Sequence, residues 1–365
     1  MRLAPAQSVD FVRSAVRDLR YPLPQLRVTR AQEHEPTVYF CAPDYDVPSG
    51  GIRVVYRHVD ILNAAGIDAA VLHRRSGFRC TWFENATRVV GSGGVRIGPD
   101  DLVVVSELAI RVLGRLPAGY RFVVFNQNPF LTWQRVSYEE VARYAGSPDL
   151  AAILTVSGHS QEMLSHAAPD ADVRRLHNSI DPGTFHPGTD RERTIVYMPR
   201  GSHDAVRQVL GILSGRGVLD GWEVIAVDGV SEKQVASRLR SATMFLSFAH
   251  SEGFGLPAAE AMASGAYVVG MHGFAGREYF RPEFSTAIEP GDVLGMAQAI
   301  EWVIDRESTQ PGWCSSRGAL AAAYIAEAYS PERERRDVVD TYADLVARAT
   351  APAARAATGS LAPHS

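Results

Sequence analysis

The sequence predicts an α/β protein built from two doubly wound halves joined by a linker. Three observations carry that expectation. Short apolar runs such as 37–41 (TVYFC), 102–106 (LVVVS) and 122–126 (FVVFN) lack polar alternation, as strands of a parallel sheet buried on both faces do. Glycine-bearing loops and stretches of helical periodicity separate them, the rhythm of strand, crossover helix, strand. A turn-rich segment, 177–187 (HNSIDPGTFHP), splits the series in two. At 365 residues the chain is long enough for two domains of about 150–180 residues each.

Residues 1–36 form a prefix. Phe11, Val12, Ala15, Val16 and Leu19 recur at helical spacing, with Arg13, Arg17 and Arg20 on other faces, until Pro22 and Pro24. Packing on its own domain is expected of this helix; peripheral contact with an anionic membrane is the alternative. The first half, 37–180, continues with strands expected at 69–73 and 152–156, and a helix from about 52 to 65 that follows the loop 42–51 and ends at Gly66. In the second half, 181–325, strands are expected at 194–198, 222–227, 244–248 and 267–271. Helices are expected near 204–214, 231–240 and 257–264. A helix-rich stretch runs from Val293 to about Ala349, and the Ala-rich tail 350–365 is expected to be disordered.

Composition excludes several classes. The only lysine is Lys233, preceded by Glu232, so there is no Gly-Lys-Ser/Thr phosphate loop and no kinase Lys–Glu pair. A pyridoxal-phosphate Schiff base would have to use Lys233, in a polar surface stretch. Phosphate chemistry therefore falls to arginine, backbone amides or a metal. Residues 1–180 carry 20 Arg against 18 acids, and the rest 17 basic residues against 23 acids. Neither balance is that of a nucleic-acid binder. Cys41, Cys80 and Cys314 are odd in number and widely spaced, which suits a reducing cytoplasm. No apolar run reaches the ~18 residues a transmembrane helix needs.

The chemistry is concentrated in 248–280 (FAHSEGFGLPAAEAMASGAYVVGMHGFAGREYF). A strand ending near Phe248 leads into a loop holding Glu252, Gly253 and Gly255, and Pro257 suits the first helical position. Glycines admit close approach of a ligand, and a helix N-terminus offers amides to an anion. Glu260 is expected in the first turn, where a carboxylate can accept the hydrogens of a ribose diol. Glu252 is expected in the loop itself, reaching beyond the phosphates.

These residues resemble the nucleotide-sugar signature of the family 4 glycosyltransferases, in which two glutamates separated by seven residues flank G-F-G-L-P. Further likenesses are Gly50-Gly51 after the first strand, Val156-Ser157 with Ser160, the linker from Asn178 to Pro187, Glu289-Pro-Gly-Asp292, and Tyr329-Ser-Pro-Glu. The resemblance spans about 38–345 and is stronger in the second half. It implies a GT-B architecture: two Rossmann-like doubly wound domains facing a central cleft, closing about the linker, with the segment 326–349 crossing back to the first domain. It also implies that Gly50 and Gly51 line the donor, that Glu260 holds the ribose and that Glu252 holds the transferred sugar. Gly253, Phe254, Gly255 and Leu256 would line the diphosphate or sugar, and Gly273 and Phe274 (in GFAG) would add backbone amides. Arg200 would neutralise the diphosphate. Here the sequence departs from the family, whose Lys five residues later is Ala205, flanked by His203 and Arg207. Ser179 likewise replaces the usual linker glycine.

Asp44-Tyr-Asp46 matches the Asp-x-Asp pattern that holds a metal–diphosphate in GT-A enzymes, but its position after the first strand marks it as loop or acceptor-site chemistry. The histidines do not cluster at metal-ligand spacing, and His250 and His272 read as hydrogen-bonding loop residues. Acceptor candidates at strand ends of the first half are Glu107, Asn126, Gln127 and Asn128; Arg79, Trp82 and Phe83 could offer an aromatic face to a sugar, though such aromatics are more often core.

The function expected is a cytoplasmic, metal-independent, retaining glycosyltransferase without a cofactor. It would move a sugar, as a hexosyltransferase, from a nucleoside diphosphate donor to an acceptor hydroxyl on a glycan, lipid-linked glycan or small metabolite, with no nucleic-acid partner. The absent Lys keeps open a non-catalytic sugar-nucleotide or glycan-binding protein of the same fold. A nicotinamide oxidoreductase is set aside, because G-x-G-x-x-G follows the first strand of neither half.

Overall fold

A computed structural model describes residues 22–135, 137–189, 191–199 and 202–350. The prefix helix, Arg200 and the tail beyond Thr350 lie outside them. The chain divides into two compact units. One contains residues up to Val156, Ser160–Leu176 and 335 onward; the other contains Ser157–His159 and His177–Glu334.

The first unit is built on β1 (Val38–Cys41), α1 (Gly50–Ala64), β2 (Ala69–His73), β3 (Val89–Gly91), β4 (Leu102–Ser106), β5 (Phe122–Phe125), α2 (Thr132–Arg135), α3 (Tyr138–Ala145), β6 (Leu150–Thr155), α4 (Gly158–Ala167), whose first two residues belong to the second unit, and β7 (Val173–Arg175). Its seven strands are all parallel, in the order β3-β2-β1-β4-β5-β6-β7. The order reverses between β1 and β4, the place where open α/β sheets bind ligands. Alternation along each strand feeds two cores. Tyr39, Cys41, Val103, Val105 and Val124 join one apolar cluster. Phe40 points the other way, 6.4 Å from His58 of α1 and 5.4 Å from Tyr342.

The second unit contains β8 (Glu192–Tyr197), α5 (His203–Gly215), β9 (Glu223–Ala226), α6 (Glu232–Ser241), β10 (Ala242–Glu252), α7 (Leu256–Ala263), β11 (Tyr267–Phe274), β12 (Ser285–Ile288), α8 (Val293–Thr309) and α9 (Trp313–Ala328). Its five parallel strands run β12-β11-β10-β8-β9, reversing between β8 and β10. Met244, Leu246 and Phe248 of β10 pack with Val206, Val209 and Leu213 of α5 and with Met296, Ile300 and Val303 of α8. Each such side chain removed from water contributes about 1.5–3 kcal/mol. The last helix, α10 (Pro331–Thr350), lies mostly in the first unit, where Asp344 pairs with Arg174 at 2.6 Å.

Arg191 joins two helix ends of the second unit. Its guanidinium donates to the carbonyl of Ala242, the C-cap of α6, and at 2.5 Å to that of Ser264, the C-cap of α7. A cation between two negative helix ends offsets both dipoles.

Several expected boundaries are corrected. α1 begins at Gly50, so the glycine pair forms its first turn and not a loop. β10 runs on to Glu252 and β11 to Phe274, because after a bulge between Ala249 and Glu252 the ladder resumes with Glu252 opposite Phe274. Glu252 therefore ends a strand, and His272 lies within one. Among the described residues no helix is long and apolar enough to cross a membrane.

Candidate donor site and acceptor edge

In the second unit the central strand β10 is buried from Ala242 to Phe248 and then emerges toward Glu252. Gly253, Phe254 and Gly255 follow, all buried, and Gly255 takes the left-handed conformation (φ 86°) as the N-cap of α7. A side chain at Gly255 would be strained, and its Cβ would stand 2.5 Å from the Tyr279 hydroxyl. That hydroxyl donates to the carbonyls of Phe254 and Gly255, each at 2.9 Å. Burial pushes the Tyr279 phenol well above its ordinary value, so it stays a donor.

Glu252 lies against Gly273: a Cβ there would stand 3.1 Å from both the Cβ and the Cγ of the glutamate. Gly273 (φ 58°) thus makes the room. The residue is partly exposed, yet burial of its carboxyl pushes the pKa up to about 6, with no cation offsetting the shift. No described residue donates a hydrogen bond to it. Its two oxygens are thus open to hydroxyl donors from a ligand.

Glu260 is only 5% exposed. It is the fifth residue of α7 and lies in the second turn, not the first, because the helix starts at Leu256 and Pro257 takes its second position. Pro257 lacks an amide hydrogen, and of the other amides opening α7 those of Ala258 and Ala259 already donate to Gly255 O, at 3.2 and 3.5 Å. Ser202 caps nothing with its side chain; its hydroxyl donates to Phe248 O at 2.7 Å, tying the start of α5 to the end of β10. The loop between β8 and α5 holds Arg200, outside the described residues. Arg207 pairs with Asp204 on the exposed face of α5.

The loop after β11 is ordered by His272, which the sequence read as a hydrogen-bonding residue, and by Glu278 and Tyr279, to which it gave no role. His272 is buried, and its Nδ1 accepts the Phe274 amide hydrogen at 3.0 Å. That amide, expected to face the donor, is thereby engaged. Ala275–Glu278 forms a 3-10 turn. The Glu278 carboxylate accepts the Gly158 amide at 3.1 Å and the Tyr329 hydroxyl at 2.9 Å. Phe254, Tyr279 and Tyr329 pack together, with ring centroids 5.2–6.0 Å apart. The signal for these residues was the polar and aromatic content of GREYF and of the Tyr329 segment, which spacing alone does not separate from ordinary core.

In the first unit the donor candidate Gly51 comes together with the acceptor candidates Glu107, Asn126, Gln127 and Asn128 where the strand order reverses. Buried Glu107 accepts the amides of Gln127 and Asn128, each at 3.2 Å. Gln127 Nε2 donates to Gly51 O at 3.1 Å, and Asn126 Nδ2 to Thr132 Oγ1 at 2.7 Å. Asn128 Oδ1 accepts the Phe130 amide at 3.1 Å. Glu107 and Asn126 therefore shape the loop, and half-buried Gln127 and Asn128 form its accessible edge. Gly50 opens α1 beside them with no side-chain cap.

The Asp44 and Asp46 carboxylates are taken up locally. Asp44 accepts the Arg74 and Arg75 amides (3.0 and 3.2 Å) and Arg75 Nε (2.9 Å); Asp46 accepts the Thr81 amide and hydroxyl (both 2.7 Å). Among the described residues no three His, Cys, Asp or Glu group as metal ligands. Phe83 packs on Tyr56 at 5.4 Å and on Trp82 at 4.5 Å.

Comparison with known proteins follows the same lines. Residues 221–314 match the family described as glycosyl transferases group 1. The chain is 26% identical over 246 residues to an alpha-1,6-glucosyltransferase of Actinobacillus pleuropneumoniae serotype 7, covering 65% of this chain and 73% of that protein. Its structure is similar to that of sucrose-phosphate synthase from Thermosynechococcus elongatus, with TM-score 0.65 and 16% identity over 86% of this chain and 100% of that one. It is also similar to HepE from Anabaena, solved with UDP and glucose (TM-score 0.61, 13% identity, 86% and 100% covered). A third similar structure is the pneumococcal O-GlcNAc transferase GtfA with UDP and GlcNAc (TM-score 0.59, 10% identity, 87% and 99% covered). The fold is of GT-B type, and the matches support a glycosyltransferase. The group 1 match contains Glu252, Glu260 and the loop after β11.

Proposed function

We propose that this chain transfers a sugar, with retention of configuration, from a nucleoside diphosphate sugar to an acceptor hydroxyl, as family 4 glycosyltransferases do. The observation that carries this reading is Glu252: a carboxylate at the end of the central strand, without a hydrogen-bond donor among the described residues, beside a glycine turn and one loop away from Glu260. Glu252 accepts hydrogens from the sugar's hydroxyls, and Glu260 those of the ribose. The similar structures with UDP and a sugar support this class of donor.

In the retaining reaction the departing diphosphate takes the acceptor's proton on the face it leaves, so no protein nucleophile is required. Developing charge on the diphosphate is stabilised by Arg200 and by amides of the α7 and β11 loops. Engagement of every Asp44 and Asp46 carboxylate oxygen by a backbone or side-chain donor supports this division of labour over one in which that motif holds a metal. The acceptor is expected along the Gln127–Asn128 edge of the first unit.

A thermal-shift panel of UDP, GDP, dTDP and their glucose conjugates tests the proposal. One nucleotide series raises the unfolding midpoint, by an amount that grows with the logarithm of one plus the ratio of free ligand to Kd, and the sugar conjugate is then turned over. Binding without transfer or donor hydrolysis would favour a non-catalytic binding protein, and no shift from any nucleotide would overturn the donor assignment.

A further inference from the structure

Phe274 is the one non-glycine residue with positive φ among the described residues (φ 65°, ψ −57°). These are the angles of the γ-turn that L side chains rarely adopt, and such strain persists only where neighbours impose it. The neighbours are identifiable. The Phe274 amide donates to His272 Nδ1 at 3.0 Å. An amide can only donate, so Nδ1 is the acceptor and, in the neutral ring, the hydrogen sits on Nε2. Nε2 lies 3.2 Å from Glu289 Oε1, and Glu289 accepts Arg277 Nη2 at 2.9 Å. Arg277 Nε, 3.3 Å from Nε2, meets a second donor there, so Glu289 is the partner of the ring. The Phe274 ring lies 5.5 Å from the His159 ring in a near-parallel stack, with the Arg277 guanidinium 5.2 Å away.

The consequence reaches Glu252. Gly273, between His272 and the strained residue, is the surface on which the Glu252 side chain lies, and Phe274 is the ladder partner of Glu252. We infer that His272 is a positioning residue for the donor's sugar: its Nδ1 holds the Gly273–Phe274 turn, and that turn holds Glu252. The inference rests on Glu252 contacting the sugar, and it adds a specific atom on a residue that touches no substrate.

The two ring nitrogens can be separated by substitution. Asn Oδ1 sits near the place of Nδ1, and Gln Nε2 near that of Nε2. H272N therefore keeps the acceptor for Phe274, whereas H272Q keeps only the contact with Glu289. Hydrogen exchange at the Phe274 amide, measured without any donor on the folded full-length chain, should be within about threefold of the parent in H272N. It should be at least tenfold faster in H272Q, since one lost hydrogen bond is worth about 1.4 kcal/mol. UDP-glucose affinity should fall about tenfold in H272Q and little in H272N, with UDP affinity unchanged in both. H272A, with a comparable melting temperature, should behave as H272Q. Equal exchange rates in the Asn and Gln variants would overturn the inference, as would lost protection with unaltered UDP-glucose affinity. A parent chain that binds none of UDP, GDP, dTDP or their glucose conjugates would refute the donor reading, while the exchange experiment still decides whether Nδ1 holds the turn.

Discussion

The Tyr279 hydroxyl lies 2.9 Å from the carbonyl oxygen of Gly255, and a Cβ on that glycine would stand 2.5 Å from it. One phenol thus shapes the turn that opens α7, from a residue more than twenty positions downstream. Replacing Tyr279 by Phe keeps the ring packing and leaves two buried carbonyls without their donor. The cost is about 1–3 kcal/mol. Y279F should melt a few degrees lower and bind nucleoside diphosphate several-fold more weakly in calorimetric titration. Unchanged affinity would mean that the turn keeps its shape without the phenol.

Glu252 carries a pH signature. Burial pushes its pKa to about 6 from an ordinary 4.5. Accepting sugar hydroxyls requires the ionised form, so kcat/KM should rise through pH about 6 and level off above about 7. Because the folded-state value is the higher one, folding favours the protonated form. Stability therefore falls as pH climbs from about 4.5 to about 6 and stays lower above that. E252Q removes this cost of about 2 kcal/mol at pH 8. It should melt higher than the parent at pH 8, lose the advantage below pH 4.5, and lose turnover at every pH. A rate profile flat from pH 5 to 8 would contradict the assignment.

Arg207 faces Asp204 on the exposed surface of α5, which argues against its replacing the lysine missing at Ala205. R207A should alter donor KM less than twofold, within the range of an exposed pair. R200A should raise KM or lower kcat at least tenfold, the effect of removing a charge-assisted phosphate contact. Steady-state kinetics with the donor found by the panel checks both. The reverse ranking would move the diphosphate to α5.

Arg191 separates stability from function. It serves the C-termini of α6 and α7, at the end of the sheet opposite the donor loops. R191M leaves two helix ends without their cation and should lower unfolding stability by about 3 kcal/mol in urea titration. Affinity for nucleoside diphosphate in the native baseline should not change.

The fold was legible because buried parallel strands announce themselves: residues 69–73 and 102–106 are strands with the bounds the apolar runs predict. The edge strands β3 and β7 are three residues long and half-buried, too short for any period to register. β12 opens with Ser285 and Thr286, which read as loop chemistry. At the site, glutamate spacing and glycines pointed to the β10–α7 turn. What fixes that turn and the loop after β11 was only partly legible: His272 read as a hydrogen-bonding residue, but Tyr279 and Glu278 act through contacts that only the folded sheet assembles. The extent of β10 was misjudged for a related reason: polar His250 and Ser251 resemble a loop, yet they form a bulge beyond which the ladder resumes at Glu252.

The central claim is that the second unit holds a nucleoside diphosphate sugar by two carboxylates with different tasks. Calorimetric titration of UDP and UDP-glucose, or the base the panel selects, into the parent, E252A and E260A tests it most directly. E260A should weaken both ligands at least tenfold, the loss of a bidentate charged contact to the ribose. E252A should leave UDP unchanged and remove only the additional affinity contributed by the sugar. Equal affinities of both ligands for all three proteins would contradict the account.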